Sequence, residues 1–229
     1  MKNKKVITLK RYGSLRIEKR GLTPFLIEKK EHWPAFGEKN RFDYTYVTKF
    51  KNLPIMHLKS INKKNPKIMI LGAGSGRELI ELKDILKKEK INPEINVFSL
   101  TKSLDKDIEK KIVNKDYSIN KAIENIDPKR DKQIIKENIG KYDLVVAPLS
   151  VGVYTDHVAY NMLLTSLLLR KHGKAYIEVN DNSQNLTRYK RFIELYNKQF
   201  TKNYEFIINE IKLDRKLTNQ KYFEIIRTN

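Results

Sequence analysis

The chain has 229 residues, 40% of them hydrophobic and 32% charged, with no cysteine and a formal net charge of +20. That length suits one large domain, or one domain with an extension, and supplies enough apolar residues for a real core. Absence of cysteine excludes disulfides and thiolate metal sites and suits a cytosolic protein. The longest apolar stretch, Met162 to Leu169, is far below the ~20 residues needed to cross a bilayer, and the basic start Met1-Lys2-Asn3-Lys4-Lys5 lacks the apolar core of a secretory signal. The positive charge is spread along the chain. It suits a polyanion partner, RNA above all, or a solvated lysine surface raised by compositional bias; composition leaves both open.

Taken in chain order, the sequence divides near Pro66. Residues 1–65 read as an N-terminal extension or cap. Val6 to Leu9 and Ser14 to Glu18 read as short strands around Gly13, and Phe42 to Phe50 alternates as another strand or an irregular lid. Trp33, Phe36, Phe42, Tyr44 and Tyr46 lie among basic residues. They could stack on bases, close over a small molecule, or pack the extension onto the main domain.

Residues 66–229 carry a sharper pattern. Lys67 to Leu71 is an apolar run that ends in glycine, as a buried parallel strand does. Glu78 to Lys90 has Leu79, Leu82, Ile85 and Leu86 at helical spacing, and Asn92-Pro93 stops it. Ile95 to Thr101 is a second strand, Asp105 to Val113 a short helix, and Ile112-Val113 the start of a short third strand that leaves through Lys115-Asp116-Tyr117. Helical stretches follow over Ser118 to Ile126 and Lys129 to Asn138. Tyr142 to Pro148 is a strand, since Leu144-Val145-Val146-Ala147 is continuously apolar, and Asp156 to Lys171 a helix stopped at Gly173. Its stripe Met162, Leu163, Leu167 and Leu168 is core. Lys174 to Asn180 is a strand and Leu186 to Phe200 a helix, while Tyr204 to Leu213 and Lys221 to Arg227 form a closing hairpin. Alternating β and α units predict a Rossmann-like, doubly wound, mostly parallel seven-stranded sheet with an antiparallel last strand, binding its ligand beyond the carboxyl ends of the strands.

The informative motif is Leu71-Gly72-Ala73-Gly74-Ser75-Gly76, between the first strand and its helix. Glycine at alternate positions allows a tight exit and lets backbone come close to a ligand; a ligand-free tight turn is the plain alternative. The spacing is not the dinucleotide G-x-G-x-x-G, and Arg77-Glu78 after Gly76 excludes the G-x-x-x-x-G-K-[ST] loop of nucleoside triphosphatases.

With this turn, the strand Tyr142 to Pro148, and Gly173 before Lys174-Ala175-Tyr176-Ile177-Glu178, the chain over residues 66–229 resembles the class I S-adenosylmethionine-dependent methyltransferases. The resemblance implies that Gly72, Ala73, Gly74, Ser75 and Gly76 lie under the methionine part of S-adenosylmethionine. It implies a ribose contact at the end of the second strand, where Thr101 stands in place of the family's acid and Asp105 could reach back. Asp116 and Tyr117 match the adenine position, and Pro148 and Leu149 the place where acceptor and methyl group meet. The Asn/Asp-Pro-Pro-aromatic sequence of adenine or glutamine amino methyltransferases is absent, since this chain has Ala147-Pro148-Leu149-Ser150, and no lysine ends Glu178-Val179-Asn180 to complete a ribose 2′-hydroxyl set.

Methyl transfer depends mainly on alignment, and a base helps only an acceptor that arrives protonated. Asp156 or His157, at the start of the helix after the fourth strand, could take that proton; Asp156 or Thr155 could equally cap the helix. Tyr154 could stack on a planar acceptor or be an ordinary loop aromatic. Glu178 orients the acceptor or, more simply, pairs with a lysine. His32, beside Trp33, reads as a packed surface histidine, His57 and His172 have no partner pattern, and no metal site is expected. Three classes follow: a methyltransferase acting on RNA or another polyanion, one acting on a small molecule or protein, and a binding module that kept the fold without the cofactor. The acceptor and the oligomeric state are not encoded in any of these motifs.

Overall fold

The computed structural model describes residues 7–12, 15–20, 23–28, 50, 52–73, 76, 78–98, 104, 106–117, 137–147, 158–180, 184–212 and 220–229. Near the start, β1 (Ile7–Tyr12), β2 (Leu15–Arg20) and β3 (Thr23–Glu28) form a three-stranded antiparallel sheet in sequence order. The first two match the strands expected on either side of Gly13, Tyr12 pairing with Leu15. The third, carrying Pro24, has no counterpart in the sequence reading.

Next comes a helix that the sequence did not announce, α1 (Leu53–Ser60). Pro54 in its first turn presets the backbone for a helix. Eight residues, with Leu53, Ile55, Met56 and Leu58 spread over more than one face, are too few for a periodic signal. Phe50 and α1 precede residue 66 and yet belong to the main core: Phe50 is fully buried with its ring 5.8 Å from that of Tyr176, and the Tyr176 hydroxyl donates to the Leu53 carbonyl.

The main sheet has seven strands, β4 (Lys67–Leu71), β5 (Glu94–Phe98), β6 (Lys115–Asp116), β7 (Tyr142–Ala147), β8 (Leu169–Asn180), β9 (Phe206–Glu210) and β10 (Gln220–Arg227), in the spatial order β6-β5-β4-β7-β8-β10-β9. Strands β4 to β8 pair in parallel, and β10 runs antiparallel between β8 and β9. This is the doubly wound, mostly parallel sheet that the resemblance implies. Its order reverses between β4 and β7.

Alternation divides the core. On one face Met69, Leu71, Val145, Ala147, Ile177 and Phe223 pack against α4 (Val158–Leu168) and α5 (Gln184–Phe200). On the other, Ile68, Ile70, Leu144, Val146 and Tyr222 meet Phe50, α1 and α2 (Glu78–Lys88). Leu79, Leu82 and Leu86 of α2 are each fully buried, and burial of such a side chain stabilises by roughly 1.5–3 kcal/mol. Met162, Leu163 and Leu167 of α4 are buried and Leu168 packs beside them, so the stripe is core.

The largest differences from the sequence reading lie at α4 and β8 and at the third strand. Helix α4 ends at Leu168, not Lys171, and Gly173 is not its stop. Strand β8 starts at once, and five of its residues, Leu169 to Gly173, oppose Tyr142 and Asp143 of β7 before Lys174 pairs with Leu144. The apolar run continues through Leu169 with no breaker before Gly173, so periodicity alone overshoots. The third strand is only Lys115–Asp116; Ile112 and Val113 instead form the turn after α3 (Lys106–Lys111), their backbone N–H groups donating to Ile108. Of the helical stretches expected over 118–138, residues 137–138 are helical and 118–136 lie outside the described residues.

A polar hub ties the amino edge of the sheet. Asp143, fully buried at the start of β7, accepts from Lys63 Nζ at 2.9 Å and from the Lys67 backbone N–H at 2.7 Å, and its other oxygen is ion-paired with Arg170, in close approach rather than as an aligned hydrogen bond. His57 Nε2–H donates to the Asp143 carbonyl at 3.0 Å. Burial holds the His57 pKa below the ordinary 6.5, with the Asp143 contact opposing and the Lys174 ammonium assisting. Below 6.5 the unfolded chain therefore takes up the proton more readily than the fold. The stability His57 provides is present above that pH and is lost as pH falls. Urea denaturation between pH 5 and 7 is expected to show stability rising with pH, with a shallower rise in His57→Gln. An identical slope in the variant would dismiss His57 as the titrating group.

Candidate functional site

Register brings the strand ends into one row. Leu71 pairs with Phe98, Val97 with Asp116, Ile70 with Val146, and Ala147 with Ile177. The carboxyl ends of β4, β5, β6 and β7 therefore lie along a single edge, with the switch in strand order between β4 and β7, the place where such sheets bind ligands.

Gly72 leaves β4 at φ 79°, a left-handed conformation that glycine adopts without cost, and its N–H donates to the Phe98 carbonyl at 2.8 Å. Ladder pairing thus runs one residue beyond the strand before the chain turns. Ala73 is fully buried, and its carbonyl accepts from the Gly76 N–H at 2.9 Å. Gly76, at φ 78°, in turn accepts from the Leu79 N–H and so begins α2. A Cβ at Gly76 would stand 2.7 Å from Leu104 Cδ2 and 3.1 Å from Ile108 Cγ2. The left-handed backbone is what calls for glycine here whether or not a ligand is bound, and the Leu104 and Ile108 side chains add to it.

At the end of β6, Asp116 and Tyr117 are both half-buried, and the Tyr117 N–H donates to the Val97 carbonyl at 2.9 Å. Lys115 Nζ lies 4.4 Å from the centre of the Tyr117 ring and donates to Glu137 at 3.1 Å; that hydrogen bond, chiefly, raises the lysine pKa. Gly72 to Gly76 and the Asp116-Tyr117 pair thus share one edge, separated by β5.

Glu178 follows Ile177 on β8, one residue past the row. It is fully buried on the face of Tyr176 and Tyr222, and accepts from the Tyr222 hydroxyl at 3.1 Å across the β8–β10 pair. The sequence reading offered acceptor orientation or a lysine partner; the contact with a tyrosine 44 positions away is found only once strand register is known. Further along the same face Glu224 accepts from Lys174, Tyr176 and Asn209. Burial opposes its charge, and these three donors outweigh burial, so its carboxyl sits below the ordinary value.

Gly74, Ser75, Thr101, Asp105, Pro148, Leu149, Tyr154, Asp156 and His157 lie outside the described residues, as do His32 and the aromatics from Trp33 to Tyr46. Helix α4 opens at Val158, directly after His157. Among the described residues no group of three or more metal-ligating side chains converges, and no helix is long and apolar enough to cross a membrane.

No family model and no curated protein matches the chain. Solved structures similar to it include class I methyltransferases. One is the CMeT domain of the citrinin polyketide synthase, at 14% identity over 71% of this chain and 46% of that one, with a TM-score of 0.44. Another is described as a putative class I S-adenosylmethionine-dependent methyltransferase of Listeria monocytogenes, at 14% identity, 79% and 59% coverage and a TM-score of 0.49. A third is M. jannaschii TYW2 in complex with AdoMet, at 14% identity, 97% and 89% coverage and 0.47. The chain spans about half the length of the first two. At such identities chemistry does not carry over, and the fold assignment stands on the strand order itself.

Proposed function

We propose that this chain is an S-adenosylmethionine-dependent methyltransferase whose cofactor lies across the carboxyl ends of β4, β5 and β6. The observation that carries this reading is Gly72, turned left-handed at the switch in strand order, on the same edge as the acid–aromatic pair that leaves β6. The donor set suits the group. Bared backbone around Gly72, Ala73, Gly74, Ser75 and Gly76 would face the methionine end. Thr101 offers a hydroxyl to the ribose, and Asp116 an acceptor for an exocyclic amino group beside the Tyr117 ring. When bound, the cofactor supplies a sulfonium methyl group open to in-line displacement.

The protein's own task is then placement. Pro148 and Leu149 border the acceptor, Tyr154 offers a planar surface, and Asp156 or His157 takes a proton from an acceptor that arrives protonated. The net charge of +20 favours RNA as the carrier of the acceptor, while a small-molecule or protein acceptor would bind with little dependence on salt.

Thermal denaturation with S-adenosylmethionine tests the site. A ligand at 100 times its Kd adds ~2.7 kcal/mol, which for a chain of this size is a rise in Tm of roughly 5–10 °C. Gly74→Val is expected to abolish the rise while the unliganded Tm stays within a few degrees. No rise at millimolar cofactor would favour the binding module without cofactor. A rise that survives Gly74→Val would place the pocket elsewhere.

A further inference from the structure

The edge of the sheet opposite the candidate cofactor site has a chemistry of its own. The loops entering β5, β4, β7 and β8 stand side by side in that spatial order. Two are joined directly, since the Asn92 N–H in the loop before β5 donates to the Lys64 carbonyl in the loop before β4. Each carries exposed lysine at its approach: Lys87 and Lys88 at the end of α2 and Lys90 in the loop before β5, Lys64 before β4, Lys141 before β7 and Lys171 in the β8 bulge.

Acids on this edge are already neutralised by other bases. Glu89 pairs with Lys59, Glu94 with Lys67, and Asp143 with Lys63 and Arg170. Among the described residues none of the six exposed lysines has an ion-pair partner; Asp84, one turn back along α2 from Lys88, makes no ion pair with it. Among the described residues of the carboxyl edge, Lys115 lies over the Tyr117 ring and is paired with Glu137, and Lys106 opens α3.

We propose that this amino edge docks the phosphate backbone of a nucleic acid, at a surface separate from the cofactor site. The inference does not depend on the methyltransferase reading. At ~4.8 Å between strands, the four loops span roughly 14 Å, along which a duplex presents about eight phosphates. Six unpaired ammonium groups suit that charge density. An anionic membrane is the competing polyanion, and stable membrane binding would want apolar side chains beside the charges. The exposed large hydrophobics among the described residues are Met56, Ile80, Leu195, Phe200 and Ile207, none in these four loops.

The test is fluorescence anisotropy of the full chain with labelled single-stranded and duplex RNA between 50 and 200 mM salt. Binding is expected to fall steeply with salt. Changing Lys64, Lys87, Lys88 and Lys90 together to Gln is expected to lower the slope of log K against log salt by about 3 and to weaken binding about tenfold or more at low salt. All four are exposed, so Tm should not move. A matched variant with Lys190, Lys198, Lys202 and Lys212 changed to Gln, four exposed lysines on and after α5, is expected to keep most of the binding. Equal loss in both variants would reduce the effect to net charge and overturn the proposal. So would absence of RNA binding at 50 mM salt, or lysine-dependent binding to phosphatidylserine vesicles without binding to RNA.

Discussion

Asp143→Ala is expected to lower the stability of the fold by about 3 kcal/mol, a fall in Tm of roughly 6–12 °C. The carboxylate has no contact with solvent and meets Lys63, Arg170 and the Lys67 backbone N–H, while its own carbonyl holds His57. Breaking a buried ion pair from one side costs about 3–5 kcal/mol when the remaining charge stays buried. Here the two cations are each 38% exposed, so both can turn to water once the acid is gone. The Lys67 N–H cannot, since it begins a central strand. That places the loss at the lower end of the range. Asp143→Asn keeps an acceptor for that N–H and should lose about half as much. Chemical denaturation of both variants checks the order; equal losses would mean that charge, not the backbone contact, dominates. Because α1 is tied to β7 through His57, amide exchange in residues 53–60 should accelerate in Asp143→Ala more than exchange in α5.

None of that hub was legible from Tyr142-Asp143-Leu144 in the sequence. A carboxylate opening an apolar strand reads as an exposed start, and its partners lie 80 and 76 positions earlier and 27 later in the chain. What sequence does encode is what one element decides by itself. Strands β4 and β7 carry continuous apolar runs, Ile68 to Leu71 and Leu144 to Ala147, bounded by glycine or proline on the far side, and α2 carries Leu79, Leu82 and Leu86 on one face, so all three emerge where expected. Alternation of such units then fixes a parallel sheet, and the glycine turn lies at the edge where sheets of this kind bind ligands. Elements shaped by their neighbours are lost. Strand β6 is two residues held by β5, and α1 is eight residues held by the sheet face it covers. At the candidate site the same division holds. Gly72 is readable as the sharp exit from a strand. Gly76 is held by its left-handed backbone with Leu104 and Ile108 beside it, and the Tyr222–Glu178 contact is set by the register of β10.

Gly173 shows how far a residue's role can differ from the one its position suggests, and its replacement should be among the most damaging in the chain. It sits where a helix-stopping glycine is wanted, yet the left-handed residue in that bend is His172, at φ 62°. Gly173 is needed for a different reason. A Cβ there would stand 2.6 Å from the Tyr142 carbonyl oxygen and 3.0 Å from that of Arg170. Both are backbone atoms, so no rotamer change relieves the contact. Tyr142 is fixed in turn by its buried hydroxyl, which donates to Asn138 and accepts from Asn96 at 3.1 Å. Overpacking a well-ordered core ordinarily costs about 1–3 kcal/mol when side chains can shift; with backbone against backbone we expect Gly173→Ala at the top of that range and Gly173→Val beyond it. The measured consequence should be a Tm at least 6–10 °C lower for Gly173→Ala. Strand β8 must move off β7 to admit the methyl group, and the same movement would shift Ile177 relative to Ala147 and with it Glu178 at the candidate site. A Gly173→Ala protein with unchanged Tm would show that the five-residue bulge absorbs a side chain freely, and that β7 and β8 are not in the close contact described.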